Sequence, residues 1–130
     1  MKRALLLLTF VIISMTSMAE EIWLTAKSIS FKNEYQSEFD KWKPCNIPIM
    51  IDFERKRLVI KSKEEQIIDW VSMEEKTAYD SGDSYITSLA TDTKYQTIRL
   101  EIWYQSTQMV IRIYYSDFQY QYRIPKTIYQ

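Results

Sequence analysis

The chain has 130 residues and no histidine among them. Without histidine it cannot form a Ser-His-Asp or Cys-His catalytic set, and the usual zinc sites lose their most common nitrogen ligand. Gly82 is the single glycine, which excludes the glycine-rich loops that hold phosphate groups. These absences predict a protein that is not an enzyme and that carries no cofactor.

Cysteine is equally scarce, because Cys45 stands alone. Small exported domains often depend on disulfides, but a single cysteine permits no bridge within the chain. The core must therefore be held by packing. Cys45 itself is either a small buried hydrophobic residue or the point of a disulfide to a second chain.

Residues 1–19 have the three zones of a secretory signal peptide. Lys2 and Arg3 give a positive start, residues 4–13 (ALLLLTFVII) form an apolar run, and Ser17 and Ala19 are small residues before the cleavage point. The apolar run is well short of the roughly 20 residues that span a bilayer. We expect cleavage near Glu20 and a periplasmic or extracellular protein.

The mature chain, residues 20–130, is expected to be one β domain with no transmembrane segment. Loss of the signal peptide removes two basic residues and no acidic ones, so 15 basic and 17 acidic residues remain. A nearly neutral chain with interspersed signs has no basic patch for nucleic acid. The partners that stay open are a protein or a carbohydrate.

Apolar and polar residues alternate with a period of two in the C-terminal half, at residues 97–104, 108–115 and 118–124. This pattern predicts three antiparallel strands that each have one wet face. A two-residue turn at Ser116 and Asp117 sets Ile113 opposite Tyr120, and a turn at Ser106 and Thr107 sets Ile102 opposite Ile111. The same register pairs Glu101 with Arg112 and Arg99 with Tyr114, whereas a shift by two would oppose two arginines.

The N-terminal half predicts further strands at residues 22–31, 47–53, 58–60, 66–73 and 85–90, with a β-bulge near Lys27 and Ser28. Residues 32–46 stay open between a short helix and a loop whose aromatic rings close one end of the core. The fold class is therefore all-β: one antiparallel meander of about eight strands that forms a small barrel or a two-sheet sandwich.

Aromatic residues are the unusual feature, with ten tyrosines and four tryptophans in the chain. Tyrosines on the apolar face of the strands either sit at the ends of the core with wet hydroxyl groups or line a cavity for a ligand. Trp103 and Tyr114 are expected on the outer face, where flat rings suit sugar stacking or protein contact. The candidate ligand-binding residues are Tyr104, Tyr115, Tyr120, Tyr122, Trp103 and Tyr114.

The acidic residues give weaker evidence for a functional site than the aromatic residues do. Asp69 is the only acidic residue inside a strongly apolar strand, and the alternation around it predicts an outward-facing side chain. Asp80, Ser81, Gly82 and Asp83 resemble a calcium loop in composition, but they lack the distant glutamate of an EF-hand, and Asp and Gly are common turn residues. No metal site is predicted.

Two segments, residues 42–52 (WKPCNIPIMID) and 111–124 (IRIYYSDFQYQYRI), together with the signal peptide resemble small uncharacterised exported β proteins of the Bacteroidetes type. The resemblance implies a Gram-negative periplasmic or extracellular setting. It supplies no activity and no functional residues to carry over.

The function expected first is that of a non-catalytic binding or interaction module of unknown ligand. The second hypothesis is a small periplasmic protein inhibitor that acts through one exposed loop, for which residues 74–84 are the only candidate. The third is a hydrolase that works without histidine through two carboxylates.

Overall fold

A computed structural model describes residues 21–125 and contains nine β-strands and no helix in that range. The strands are β1 (Glu21–Asn33), β2 (Lys43–Asp52), β3 (Arg57–Ile60), β4 (Gln66–Trp70), β5 (Glu74–Thr77), β6 (Ser84–Thr91), β7 (Thr97–Tyr104), β8 (Gln108–Tyr114) and β9 (Phe118–Pro125). All pairs of neighbouring strands are antiparallel.

Eight of these strands form a closed barrel, and β5 is an additional short strand. The sheet order is β4-β3-β2-β1-β9-β8-β7-β6-β5, and a pairing between β4 and β6 closes the ring. The all-β expectation is thereby confirmed, and of the two architectures left open the chain adopts the barrel. Closure satisfies the backbone groups that open sheet edges would leave unpaired.

The register predicted for the C-terminal meander is confirmed. Ile113 pairs with Tyr120 and Ile111 with Tyr122 across β8 and β9. Ile102 pairs with Ile111 across β7 and β8, with Glu101 opposite Arg112 on the outer face. The predicted irregularity in β1 is also present, as a register shift between Ala26 and Ser28.

Branched aliphatic side chains from all eight barrel strands fill the interior. The largest fully buried ones are Ile49, Ile51, Leu58, Ile60, Ile68, Leu100, Ile102, Ile111, Ile113 and Ile124. Each such side chain contributes about 1.5–3 kcal/mol through burial. The barrel is therefore a packed core along most of its length.

Residues 34–42 are a loop, so the helical alternative for residues 32–46 was wrong. The loop begins where Gln36 N–H donates to the Asn33 carbonyl at 3.2 Å, and it returns along β1, where Asp40 N–H donates to the Phe31 carbonyl at 2.9 Å. Its aromatic rings do not close one end of the core either. Phe39 and Trp42 lie against arginines on the outer face of β8 and β9, and Tyr35 is exposed.

Residues 66–73 and 74–84 also differ from expectation. The strand predicted at 66–73 ends at Trp70, and the segment predicted as a polar loop at 74–84 contains β5, which pairs with β6 as a hairpin. Both β4 and β5 run antiparallel to β6, so they form one interrupted strand. Residues 71–73 are the interruption.

The predicted signal peptide, residues 1–19, lies outside the described residues. No helix among residues 21–125 is long and apolar enough to cross a membrane.

Ser88 stabilises the interruption between β4 and β5. Its side chain is buried, and its hydroxyl oxygen accepts hydrogen bonds from Val71 N–H at 3.2 Å and Ser72 N–H at 3.0 Å. The same hydroxyl donates to the Leu89 carbonyl at 2.7 Å. Ser88 is thus the partner of Ser72 N–H, and it reinforces the backbone hydrogen bond of 3.0 Å from Val71 N–H to the Leu89 carbonyl.

We predict that Ser88→Ala lowers the free energy of unfolding by about 0.5–1.5 kcal/mol, because it removes a buried hydroxyl group that makes three hydrogen bonds and leaves Ser72 N–H without this partner. Urea unfolding followed by tryptophan fluorescence measures the change. Ser62→Ala, at a partly exposed serine in the β3–β4 turn, is the matched control and should change stability by less than about 0.5 kcal/mol. Equal effects of the two substitutions would contradict the role of Ser88.

Candidate functional site

The candidate ligand-binding tyrosines of the inner face are spread along the barrel. Tyr115 and Tyr120 lie at the end formed by the β3–β4, β6–β7 and β8–β9 turns, which we call the barrel mouth. Tyr122 is 2 % exposed and belongs to the packed core. Tyr104 lies at the opposite end, where it pairs with Met109. Only Tyr115 and Tyr120 are therefore brought together near solvent.

Four rings line the mouth in nearly parallel planes, and we call them the mouth cluster: Phe31, Tyr115, Phe118 and Tyr120. The Tyr115 and Phe118 centroids are 4.4 Å apart with an interplanar angle of 12°. Tyr120 stacks at 6.0 Å from each of these two rings, and Phe31 lies 5.8 Å from Phe118. Stacked aromatic pairs are worth about 0.5–1.5 kcal/mol beyond their buried area, so the cluster is a rigid wall.

The hydroxyl groups of the mouth cluster have partners on neighbouring turns. Tyr115 donates to Asp92 Oδ2 at 2.8 Å, and Tyr120 donates to Gln66 Oε1 at 2.5 Å. Asp92 also accepts from Lys94 N–H and Gln96 N–H through Oδ1. Asp92 therefore stabilises the β6–β7 turn through Oδ1 and orients the Tyr115 ring through Oδ2.

A cleft of about 340 Å³ opens beside this cluster. Three rings of the mouth cluster form its aromatic side, and polar side chains of the β3–β4 and β6–β7 turns form the other. Its lining residues are Glu64, Glu65, Gln66, Asp92, Thr93, Lys94, Gln96, Tyr115, Phe118 and Tyr120. The volume is within the range of about 300–1,000 Å³ that is usual for small-molecule sites.

Trp103 and Tyr114 lie on the outer face, as the alternation predicts, and both donate to the same Glu101 Oε1 at 2.8 Å. Trp103 also stacks on Tyr85, with centroids 4.1 Å apart and an interplanar angle of 10°. Its other neighbour is the Arg112 guanidinium, whose central carbon is 4.8 Å from the indole centroid. The two rings are thus engaged within the protein and do not form an open platform.

The loop at residues 34–42 covers part of this outer wall through cation–π contacts. Arg112 lies 5.7 Å from the Phe39 ring, and Arg123 lies 4.6 Å from the Trp42 ring. Arg112 also donates to Gln121 Oε1 at 2.8 Å. Sequence reasoning treated these aromatics as candidates for a helix or an end cap, and it missed their pairing with arginines of β8 and β9.

An apolar row crosses the outside of the opposite wall. Trp23, Met50, Val59 and Ile67 are direct cross-strand neighbours on β1 to β4. Trp23 is 54 % exposed, whereas Met50 and Val59 are nearly buried. The sequence signal that could have found this row is the continuous apolar run of β2 and β3, since a strand with one wet face should alternate.

Burial affects the chemistry of the inner tyrosines and of the cysteine. Burial is the main reason that the pKa of Tyr115, Tyr120 and Tyr122 lies above its ordinary value. On the outer wall, burial and then the charge of Glu101 raise the pKa of Tyr114 to about 12. Burial likewise raises the pKa of the free Cys45 thiol, which disfavours the reactive thiolate.

The aspartates that the sequence singled out lie in an ion pair and in a turn. Asp69 faces outward, as predicted, and receives two hydrogen bonds from Arg57 at 2.7 and 3.1 Å. Asp80 and Asp83 lie in the hairpin turn with Gly82, whose φ is +73°. Within residues 21–125, no three His, Cys, Asp or Glu side chains are grouped to hold a metal ion.

No protein-family model, curated protein or solved structure matches the chain.

We predict that the buried tyrosines ionise only well above pH 10. Their folded-state pKa is raised, so the stability they contribute is complete below the unfolded pKa of about 10 and is lost as pH rises toward the folded pKa. Absorbance at 295 nm and near-UV circular dichroism, recorded together, should show a late ionisation step that coincides with unfolding. Tyr114→Phe should reduce that step, and ionisation of every tyrosine near pH 10 in a folded protein would contradict the prediction.

Proposed function

We propose that this protein is a non-catalytic binding module that holds a small ligand in the cleft at the barrel mouth. The observation that supports this function is the contrast between the packed interior and the mouth. Aliphatic side chains fill the barrel, whereas the mouth presents aromatic rings and polar side chains around one open cleft. Recognition sites commonly combine an aromatic wall with a few convergent polar groups.

The bonding of the mouth residues supports binding rather than catalysis. Asp92 is 9 % exposed and already accepts three hydrogen bonds, so it acts as a fixed structural acceptor. A general base needs a free lone pair directed at a substrate proton. The raised pKa of the Cys45 thiol works against nucleophilic catalysis as well. The order of residues 1–19 supports an exported location for this module.

The proposal predicts a saturable small-molecule site that depends on the mouth cluster. NMR titration of the ¹⁵N-labelled protein with a mixed set of sugars, amino acids, nucleosides and organic acids should shift amide signals of residues 64–66, 92–96 and 115–120. Phe118→Ala should weaken binding at least about tenfold, equivalent to about 1.4 kcal/mol.

Trp23→Ala, which removes an exposed ring from the outer wall, is the control and should bind like the wild type. Gln96→Ala tests the polar side of the cleft without touching the core. Binding that survives Phe118→Ala and Gln96→Ala, or signal changes confined to other surfaces, would overturn the proposed function.

A second function, inhibition of another protein, is favoured by the tip of the β5–β6 hairpin. Among residues 21–125, Tyr79 in this tip is the most exposed large hydrophobic residue, at 105 %. The tip is closed by Ala78 N–H to the Asp83 carbonyl at 2.8 Å and Gly82 N–H to the Ala78 carbonyl at 2.9 Å. A pre-formed loop that presents one aromatic ring fits a binding anchor, because little conformational entropy is lost on docking.

Inhibition assays against a panel of purified bacterial hydrolases test this second function. Tyr79→Ala should raise the inhibition constant at least about tenfold. Tyr35→Ala is the matched control, since Tyr35 is 89 % exposed in the loop after β1. No inhibition by the wild type, or equal effects of both substitutions, would count against an inhibitor.

A further inference from the structure

The lining of the mouth cleft carries three carboxylates, Glu64, Glu65 and Asp92, and one ammonium group, Lys94. Glu65 is paired with Lys61 from outside the lining, with 2.7 Å between the ammonium nitrogen and the carboxylate oxygen. Asp92 keeps its charge, but its oxygens accept hydrogen bonds from the turn and from Tyr115. With Lys61 counted, one negative charge remains in excess, which is small for strong electrostatic selection of a cation.

Hydrogen-bonding groups of both kinds surround the cleft. The side-chain amides of Gln66 and Gln96 offer donors and acceptors, and Thr93 offers a hydroxyl group. Thr93 Oγ1 accepts from Ile67 N–H at 2.9 Å, which fixes the oxygen and leaves its own proton as a donor. Each hydroxyl group of a polyol can donate and accept, so it matches such a mixed lining.

The aromatic side of the cleft supplies an apolar surface of ring size. Phe118 carries no hydroxyl group, is partly exposed, and lies beside three rings whose planes are within 25° of its own. One face of a pyranose presents C–H bonds with slight positive charge, and the faces of aromatic rings are negative. A sugar ring therefore meets both sides of the cleft with complementary chemistry.

From these three features we infer that the ligand class of the mouth cleft is a neutral carbohydrate, bound with a pyranose ring against the mouth cluster. This inference rests on the proposed function and adds the class of ligand. The cleft volume of about 340 Å³ is enough for a single sugar ring.

Three sugars with one ring and different charge provide the test: methyl glucoside, glucosamine and glucuronic acid. They are titrated into the ¹⁵N-labelled full-length mature protein, with methyl galactoside, methyl mannoside and N-acetylglucosamine as further neutral probes. We expect at least one neutral sugar to shift mouth signals with a Kd in the millimolar range, about 1–20 mM. The charged sugars should bind no more tightly, and salt should have little effect because no net charge is neutralised.

Single substitutions show whether the Kd of the neutral sugar depends on polar contacts or on charged side chains. Gln96→Ala should weaken the neutral sugar several-fold, whereas Glu64→Gln and Lys94→Gln should leave its Kd within about twofold. Trp23→Ala controls for an outer-wall site. Circular dichroism and urea unfolding confirm that each variant is folded.

Three results would overturn the inference. If a charged sugar, amino acid or nucleoside binds the mouth more tightly than every neutral sugar, the cleft is a binding site of another class, and the proposed function stands. If no sugar binds at about 50 mM, well above the expected Kd, the carbohydrate class is wrong. If sugars bind but shift only signals around Trp23 or Trp103, both the carbohydrate assignment of the mouth and the proposed function fail.

Discussion

Burial of aliphatic side chains in one closed interior is the constraint on which the rest of the structure depends. Every barrel strand contributes to this interior, and residues such as Ile49, Leu100 and Ile111 are fully inaccessible. The chain has no disulfide to share the task, so each vacancy in this packing is costly, because neighbouring groups collapse only partly. In the part of the chain that the structure describes, the clefts lie at the barrel mouth and on the outer surface.

The tyrosines follow from the same constraint. A hydroxyl group is tolerated near a dry core only where a partner is available, and the turns of the barrel mouth provide these partners. Asp92 accepts a hydrogen bond from the Tyr115 hydroxyl group, and Gln66 accepts one from the Tyr120 hydroxyl group. On the outer wall, arginine side chains lie over three further rings, those of Phe39, Trp42 and Trp103. The barrel thus has two aromatic regions. At the mouth, a carboxylate and an amide accept hydrogen bonds from tyrosine hydroxyl groups. On the outer wall, guanidinium groups make cation–π contacts with the rings.

The fold was predictable from the sequence where alternation is clean. In β7 to β9 the period of two fixes the faces, and the charged pair of Glu101 and Arg112 selects the register. The pattern is weaker in the N-terminal half, where β2 and β3 are apolar on both faces and the row at Trp23 was missed. The pattern at residues 32–46 allowed a short helix, but contacts with distant arginines determine where the Phe39 and Trp42 rings lie. The alternation placed Tyr115 and Tyr120 on the inner face. Their hydrogen-bond partners, Asp92 and Gln66, lie in turns distant in sequence, which no local pattern reveals.

The closure of the barrel is uneven around its circumference. The pairing of β4 with β6 consists of two residue pairs, Asp69 with Thr91 and Trp70 with Ala90, whereas β7 pairs with β6 over its whole length. Local opening of a protein starts where few bonds must break, so this seam separates before the rest of the sheet. Because β1 stays paired with β9, an open seam turns the barrel into an open sheet and does not release any strand. The backbone groups of β4 and of the end of β6 then become sheet edges, at which a second molecule can pair.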